Sequence, residues 1–240
     1  MRQAVGIIPA RYGSTRFPGK PLAMILGKPM LQWVYERACS APSLSRVIIA
    51  TDDERIVTAS KAFGAEAIKT SVSIVSGTER AAEVAYDIDS QIIINIQGDE
   101  PLIKAEMIDS LVEAFQEDSL PMATLVLKTK DLYLHKDKNI VKVVIDEQGF
   151  ALYFSRSPVP FQASDYFWKH IGIYGYQKTF LLQFSRLPAS RLEKMEDLEQ
   201  LRALENGFRI KVIETFDSTL SVDTPEDIIK VEKKIKEGTE

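Results

Sequence analysis

The sequence is poor in several things that would each point to a function class. It has one cysteine, Cys39, in 240 residues, so no internal disulfide can form, cysteine-rich zinc sites are excluded, and a reducing compartment fits. There is no excess of positive charge. Thirty Lys and Arg stand against 34 Asp and Glu, a net charge of −4, so no global basic field draws the chain to nucleic acid or to an acidic membrane. No apolar run approaches the roughly 20 residues of a membrane helix. The stretch Met1 to Ile8 meets Pro9 too soon to be a signal peptide. With 12 Gly and 11 Pro, collagen-like and low-complexity architectures are also excluded. What remains is an ordinary globular composition, 45% hydrophobic and 27% charged, expected to form a soluble cytoplasmic protein that binds neither nucleic acid nor membrane. No repeat and no linker divides it.

Short apolar runs alternate with amphipathic stretches. Ala4-Val5-Gly6-Ile7-Ile8, Val47-Ile48-Ile49-Ala50 and Gln91-Ile92-Ile93-Ile94-Asn95-Ile96-Gln97 are apolar on both faces, as parallel strands covered by helices should be. Helices are expected near residues 30–41, 54–63, 79–87 and 104–116. This βαβα order implies an α/β fold with a mostly parallel sheet. The rhythm changes in the middle. Glu147-Gln148-Gly149 reads as a hairpin turn between strands at 141–146 and 150–154, with further strands at 122–129 and 170–176. Residues from about 120 to 175 are therefore expected as an inserted antiparallel lobe on a single domain. Residues 192–206 read as one helix ended by Gly207, followed by a strand at 209–214. Thr224-Pro225-Glu226-Asp227 reads as a helix start, with Thr as cap and Pro first.

Six segments carry chemistry. The connection Pro9 to Pro21 lacks both the dinucleotide and the P-loop glycine patterns, yet holds Arg11, Arg16, Lys20, two glycines and two hydroxyls after a buried strand. That mixture suits a polyphosphate at the carboxyl end of a parallel sheet, and it also reads as a solvated loop. Ser76-Gly77-Thr78-Glu79-Arg80 opens a helix, where free NH groups accept either an anion or an ordinary cap. Asp99, held at the sheet edge before Glu100-Pro101, and Asp223, before Thr224, are candidates for a hard cation such as Mg2+. On a continuous helix Glu193, Glu196 and Gln200 share a sector of about 60°, either solvated or lining a cleft. His170 and Tyr174 fall on one face of an alternating strand, where His170 is either a site residue or a structural one.

Taken in order, Ile8-Pro9-Ala10-Arg11-Tyr12 with Ser14, Arg16 and Pro18-Gly19-Lys20-Pro21, Ala50-Thr51-Asp52, Ser76 to Arg80, Asn95 to Pro101, Ala151 to Arg156, His170 to Tyr176, Leu198 to Arg202 and Val222 to Asp227 resemble the cytidylyltransferases that activate 3-deoxy-manno-octulosonate (Kdo). The resemblance implies a nucleotide-diphospho-sugar-transferase-like domain and the reaction CTP + Kdo → CMP-Kdo + pyrophosphate, in lipopolysaccharide synthesis. It also implies a homodimer built on the inserted lobe. It places Ala10, Arg11, Ser14, Lys20, Ser76, Arg80, Gln97 and Asp99 at the nucleotide, with Arg11, Lys20, Asp99 and Asp223 as the catalytic set. Gln97, Arg156, His170, Tyr174, Glu196 and Gln200 fall at the sugar, and Mg2+ on Asp99 and Asp223. Arg156 and His170 are expected to neutralise the sugar carboxylate. Rival expectations are a cytidylyltransferase for a sialic acid or for an amino analogue of Kdo, a glycosyltransferase, and a nucleotide-binding regulator without turnover.

Overall fold

The structure, a computed structural model, describes residues 4–13, 17–116, 120–163 and 165–238. The strands are β1 (Ala4–Ala10), the short ribbon β2 (Met24–Ile25) and β3 (Lys28–Pro29), β4 (Leu44–Thr51), β5 (Glu66–Lys69), β6 (Ile92–Asn95), β7 (Met122–Thr129), β8 (Lys142–Ile145), β9 (Ala151–Ser155), β10 (Phe167–Gln177) and β11 (Ile210–Thr215). The helices are α1 (Met30–Cys39), α2 (Glu54–Ala62), α3 (Gly77–Tyr86), α4 (Ala105–Ala114), α5 (Leu132–Lys136), α6 (Lys178–Phe184), α7 (Arg191–Glu196), α8 (Leu201–Glu205) and α9 (Pro225–Lys236).

Paired isoleucines explain the three layers. Successive residues of a strand point to opposite faces. Ile7, Ile48 and Ile93 therefore enter one layer with Ala81 and Ala85 of α3 and Leu181 of α6, while Ile8, Ile49 and Ile94 enter the other with Leu31 of α1 and Leu111 of α4. Burial of each such side chain contributes about 1.5–3 kcal/mol. The sheet runs β11-β7-β10-β6-β1-β4-β5. Only β10 is reversed along this path, so the sheet is mostly parallel, as expected.

Two expectations need revision. The segment 120–175 is not wholly an appended lobe: β7 and the end of β10 are interior strands of the main sheet, and the outlying part is the β8–β9 hairpin with the first half of β10. Gly175 allows this, because a Cβ there would lie 2.5 Å from the buried Phe115 ring. The helix expected over 192–206 is two. Ser190 and Glu193 form a capping box that starts α7, and Asp197 ends it in the left-handed conformation at φ 54°. Burial of Leu198 and Leu201 then turns the chain into α8, and the shared sector of Glu193, Glu196 and Gln200 disappears. By contrast α9 starts as read: Thr224 caps it, Pro225 is first, and Asp227 closes the box.

Candidate active site

The site lies where β1 and β6 end. Gly19, at φ 72°, donates its NH to the Tyr12 carbonyl at 2.9 Å and turns the loop back toward the sheet. Gly98 lets the two strand ends meet, since a Cβ there would lie 3.0 Å from the Pro9 carbonyl oxygen. The loop thus delivers Lys20 to the tip of β6. Its ammonium donates to Asp99 Oδ2 at 2.6 Å and to the Val222 carbonyl at 2.9 Å, and it lies 3.5 Å from Asp223 Oδ1. Asp99 and Asp223, far apart in the chain, therefore share one cation.

Two cavities flank this cluster. One, of about 390 Å³, is lined by Pro9, Ala10, Arg11, Lys20, Gly77 and Gln97 among others. The second, of about 750 Å³, is lined by Glu100, Lys169, His170, Ser221, Asp223 and Lys230 among others. Gln97 and Asp99 belong to both walls.

Around the smaller cavity the expected residues divide. Ser76 is the N-cap of α3, its hydroxyl accepting from the Glu79 NH at 3.0 Å, and Gly77 forms the wall. Arg11 is exposed at the mouth and donates to the Val75 carbonyl at 2.5 Å. Arg80 turns away from the cavity. It is fully buried, donates to the Thr70 hydroxyl, and holds Asp52 at 3.0 Å and the Ile74 carbonyl at 3.1 Å, so it shapes the 70–76 segment from behind. Ser14 lies outside the described residues.

Around the larger cavity only Gln97 and His170 of the expected sugar residues form the wall. The His170 Nε2 lies 3.0 Å from Thr124 Oγ1, whose proton is directed at the carbonyls of Ile173 (2.9 Å) and Ile171 (3.2 Å). Nε2 is therefore the protonated nitrogen, assigned from this network. Burial pulls the imidazole down to about 3, so His170 is neutral near pH 7 and does not supply the positive charge expected of it. Tyr174 packs its ring 5.4 Å from that of His170. Arg156 does not reach the cavity wall. Its guanidinium donates to the carbonyls of Glu196 (2.9 Å), Asp197 (3.2 Å) and Lys138 (3.3 Å), tying β9 to the end of α7. Glu196 accepts from the Ser155 hydroxyl at 2.8 Å and the Arg156 NH at 2.9 Å. Gln200 is buried, and its Nε2 has no hydrogen-bond partner among the described residues.

Three residues not singled out in the sequence matter here. Glu199 accepts from the Thr78 hydroxyl at the start of α3, joining the α7–α8 turn to the nucleotide side. Assuming a continuous helix hid it. Glu100 lies in the wall of the larger cavity, where burial and the neighbouring Asp99 charge push it up to about 7 against the Ser221 and Thr219 hydroxyls. Lys169 faces the same cavity; burial lowers it and the Glu100 carboxyl opposes that. The Asp-Glu-Pro run was the available signal for Glu100, but burial is a property of the folded chain.

A family model described as Cytidylyltransferase matches residues 5–215. The chain is 54% identical over 233 residues to the 3-deoxy-manno-octulosonate cytidylyltransferase of Syntrophobacter fumaroxidans, covering 93% of each chain. To that of Syntrophotalea carbinolica it is 50% identical over 243 residues, covering 96% of this chain and 97% of the other. The solved structure of CMP:2-keto-3-deoxy-manno-octonic acid synthetase complexed with CTP superposes with a TM-score of 0.93 at 42% identity, over 98% and 99% of the two chains. A 4-diphosphocytidyl-2C-methyl-D-erythritol synthase from Anaerococcus prevotii, 17% identical with a TM-score of 0.67, shares the fold alone. A cation-bridged carboxylate pair between two cavities on this sheet, with these likenesses over nearly the whole chain, assigns the chain to the 3-deoxy-manno-octulosonate cytidylyltransferases.

Proposed function

We propose that the chain joins the CMP part of CTP to the anomeric hydroxyl of Kdo and releases pyrophosphate, with CTP in the smaller cavity and Kdo in the larger. The observation that carries this placement is the Lys20–Asp99–Asp223 cluster in the wall between the two cavities. The anomeric oxygen forms a bond to the α-phosphorus as the bond from that phosphorus to the pyrophosphate oxygen breaks. The hydroxyl proton is released and pyrophosphate leaves with the electron pair. Two anions must approach to about 3–3.5 Å, so positioning and charge neutralisation dominate. Arg11 and Lys20 serve the triphosphate, while Ala10, Ser76, Gly77 and Gln97 shape the nucleotide cavity. Gln97 and His170 serve the sugar, with Tyr174, Arg156, Glu196 and Gln200 supporting that side from behind. His170, neutral, offers Nδ1 as an acceptor for a sugar hydroxyl; Lys169 and Lys230 bring positive charge to the larger cavity.

The donor set fits magnesium. Two carboxylates from separate segments already converge on one positive group, and among the described residues no group of three His, Cys, Asp or Glu is placed to hold a metal by itself. Magnesium commonly takes one or two protein carboxylates and completes its shell with phosphates and water. Held by Asp99 and Asp223, it would neutralise phosphate charge. We place the reaction in the cytoplasm, ahead of lipopolysaccharide assembly; no helix among the described residues is long and apolar enough to cross a membrane. The active form is a homodimer using the outlying hairpin side, where Tyr133, Leu152 and Phe161 are exposed.

The test is pyrophosphate release from CTP with Kdo, a sialic acid, an amino analogue of Kdo, or no sugar. Release that requires Kdo supports the reading. Release with a different sugar and not with Kdo reassigns the acceptor, and no release with any sugar rejects the transferase.

A further inference from the structure

Residues 219–223 deliver Asp223 without belonging to a strand or helix, so no ladder of backbone hydrogen bonds fixes them. Individual backbone and side-chain contacts do. The Val222 NH donates to the Asp99 carbonyl at 2.9 Å, and the Val222 carbonyl accepts from Lys20 at 2.9 Å. The Ser221 hydroxyl donates to Glu100 Oε1, and the Thr219 hydroxyl, at the start of the same segment, also bonds this carboxyl. Glu100 is 6% exposed, an unusual place for a carboxylate, and among the described residues no ion pair touches it and its Oε2 is buried without a close hydrogen-bond partner. A buried acid so arranged has to be explained by what it holds. On the other side of Asp223, the Asp223 NH donates to Asp227 Oδ2 at 3.1 Å, inside the cap of α9. Asp223 is thus fixed from upstream by Ser221 and from downstream by Asp227.

We infer that Glu100 is a positioning residue: by holding the Ser221 hydroxyl it docks the 219–223 segment on the tip of β6 and sets Asp223 beside Asp99. Because Glu100 directly follows Asp99, a single turn after β6 carries one carboxylate of the pair and the clamp that places the other. The inference rests on the reading of Asp99 and Asp223 as the metal carboxylates. Two ligands act together only when their separation is held to a fraction of an ångström, so releasing one arm weakens metal binding before it touches the nucleotide cavity.

The experiment is titration of Mn2+ into the CTP-bound protein without Kdo, with free Mn2+ read by electron paramagnetic resonance. CTP affinity in EDTA and the melting temperature are measured on the same samples. Ser221→Ala is expected to raise the Mn2+ dissociation constant about tenfold, the ratio one hydrogen bond sustains, with CTP affinity in EDTA unchanged. Ser221→Thr, which keeps the hydroxyl, is expected to restore wild-type binding within about threefold. In a Glu100→Ala background, Ser221→Ala is expected to add nothing, since the partner is already gone. Wild-type Mn2+ binding by Ser221→Ala, alongside a clear loss in Asp223→Asn, overturns the clamp and leaves the metal reading standing. Unchanged binding in Asp223→Asn overturns the metal reading, and the clamp with it. A melting temperature lowered in Ser221→Ala with Mn2+ binding intact makes the contact merely structural and also overturns the inference.

Discussion

Replacing Lys20 by Ala removes a cation that Asp99 and Asp223 share, and the structure lets the two consequences be separated. Without nucleotide the ammonium reaches three acceptors, at 2.6, 2.9 and 3.5 Å. Without it the two carboxylates face each other. Breaking a fully buried pair costs about 3–5 kcal/mol. Here the Asp99 side chain is 30% and the Asp223 side chain 47% exposed, so water returns to both and the cost falls to about 1–2 kcal/mol. For a chain of this size that corresponds to a melting temperature lower by about 2–8 °C. A charge-assisted contact to the triphosphate contributes about 1.5–3 kcal/mol, so CTP should bind about 10- to 150-fold more weakly. The Kdo constant at saturating CTP should move little. Differential scanning fluorimetry and calorimetric CTP titration read the two effects. A lowered melting temperature with wild-type CTP affinity would mean that Lys20 only ties the 219–223 segment down, and the nucleotide role would be refuted.

Three further outcomes are expected. Asp99→Asn should keep the fold and lose at least about 10²-fold in turnover, the scale of one electrostatic stabiliser, and near-normal turnover at saturating magnesium would contradict its role. Arg156→Lys should lower the melting temperature, because a point charge cannot serve three carbonyls on two segments as a guanidinium fork does; an unchanged melting temperature with a raised Kdo constant would instead put the side chain against the sugar. Burial holds His170 at about 3, below the ordinary histidine value near 6.5, so the unfolded chain binds the extra proton first as pH falls. The stability His170 contributes is therefore present above about pH 6.5 and is lost progressively toward pH 3. Melting temperatures from pH 7 to 4 should fall more steeply for the wild type than for His170→Asn, and parallel curves would contradict a half-buried, neutral imidazole.

The legible part of the fold was written in local pattern. Isoleucines in runs gave the parallel strands, because each neighbour in a strand enters an opposite layer, and Thr224-Pro225 marked the start of α9 because capping is decided within four residues. The 147–149 turn signal does mark antiparallel neighbours, but β7 lies inside the main sheet because its parallel partner β11 arrives much later in the chain. The helix over 192–206 failed for a similar reason: Asp197 takes a left-handed conformation that lets Leu198 and Leu201 reach the core, and propensity does not record that pull. At the site, Lys20, Asp99 and Asp223 were each visible as chemistry at strand or helix ends, while their meeting was not, since it depends on the turn at Gly19 and on the docking of Val222. Arg80 shows the converse. As a cation at a helix start it suggested phosphate, yet Asp52, Thr70 and the Ile74 carbonyl absorb it, and only the tertiary structure brings those partners together.

The central claim is that the acceptor's own anomeric oxygen attacks the α-phosphorus of CTP at this carboxylate pair. Kdo labelled with ¹⁸O at the anomeric hydroxyl, incubated with CTP and the protein, tests it through the isotope shift in the ³¹P spectrum of the products. The account predicts the label in the bridge between sugar and CMP, unlabelled pyrophosphate in equal amount, and neither product from Asp99→Asn at a comparable rate. Label in the pyrophosphate, or a CMP-sugar product whose bridge lacks it, would contradict the account.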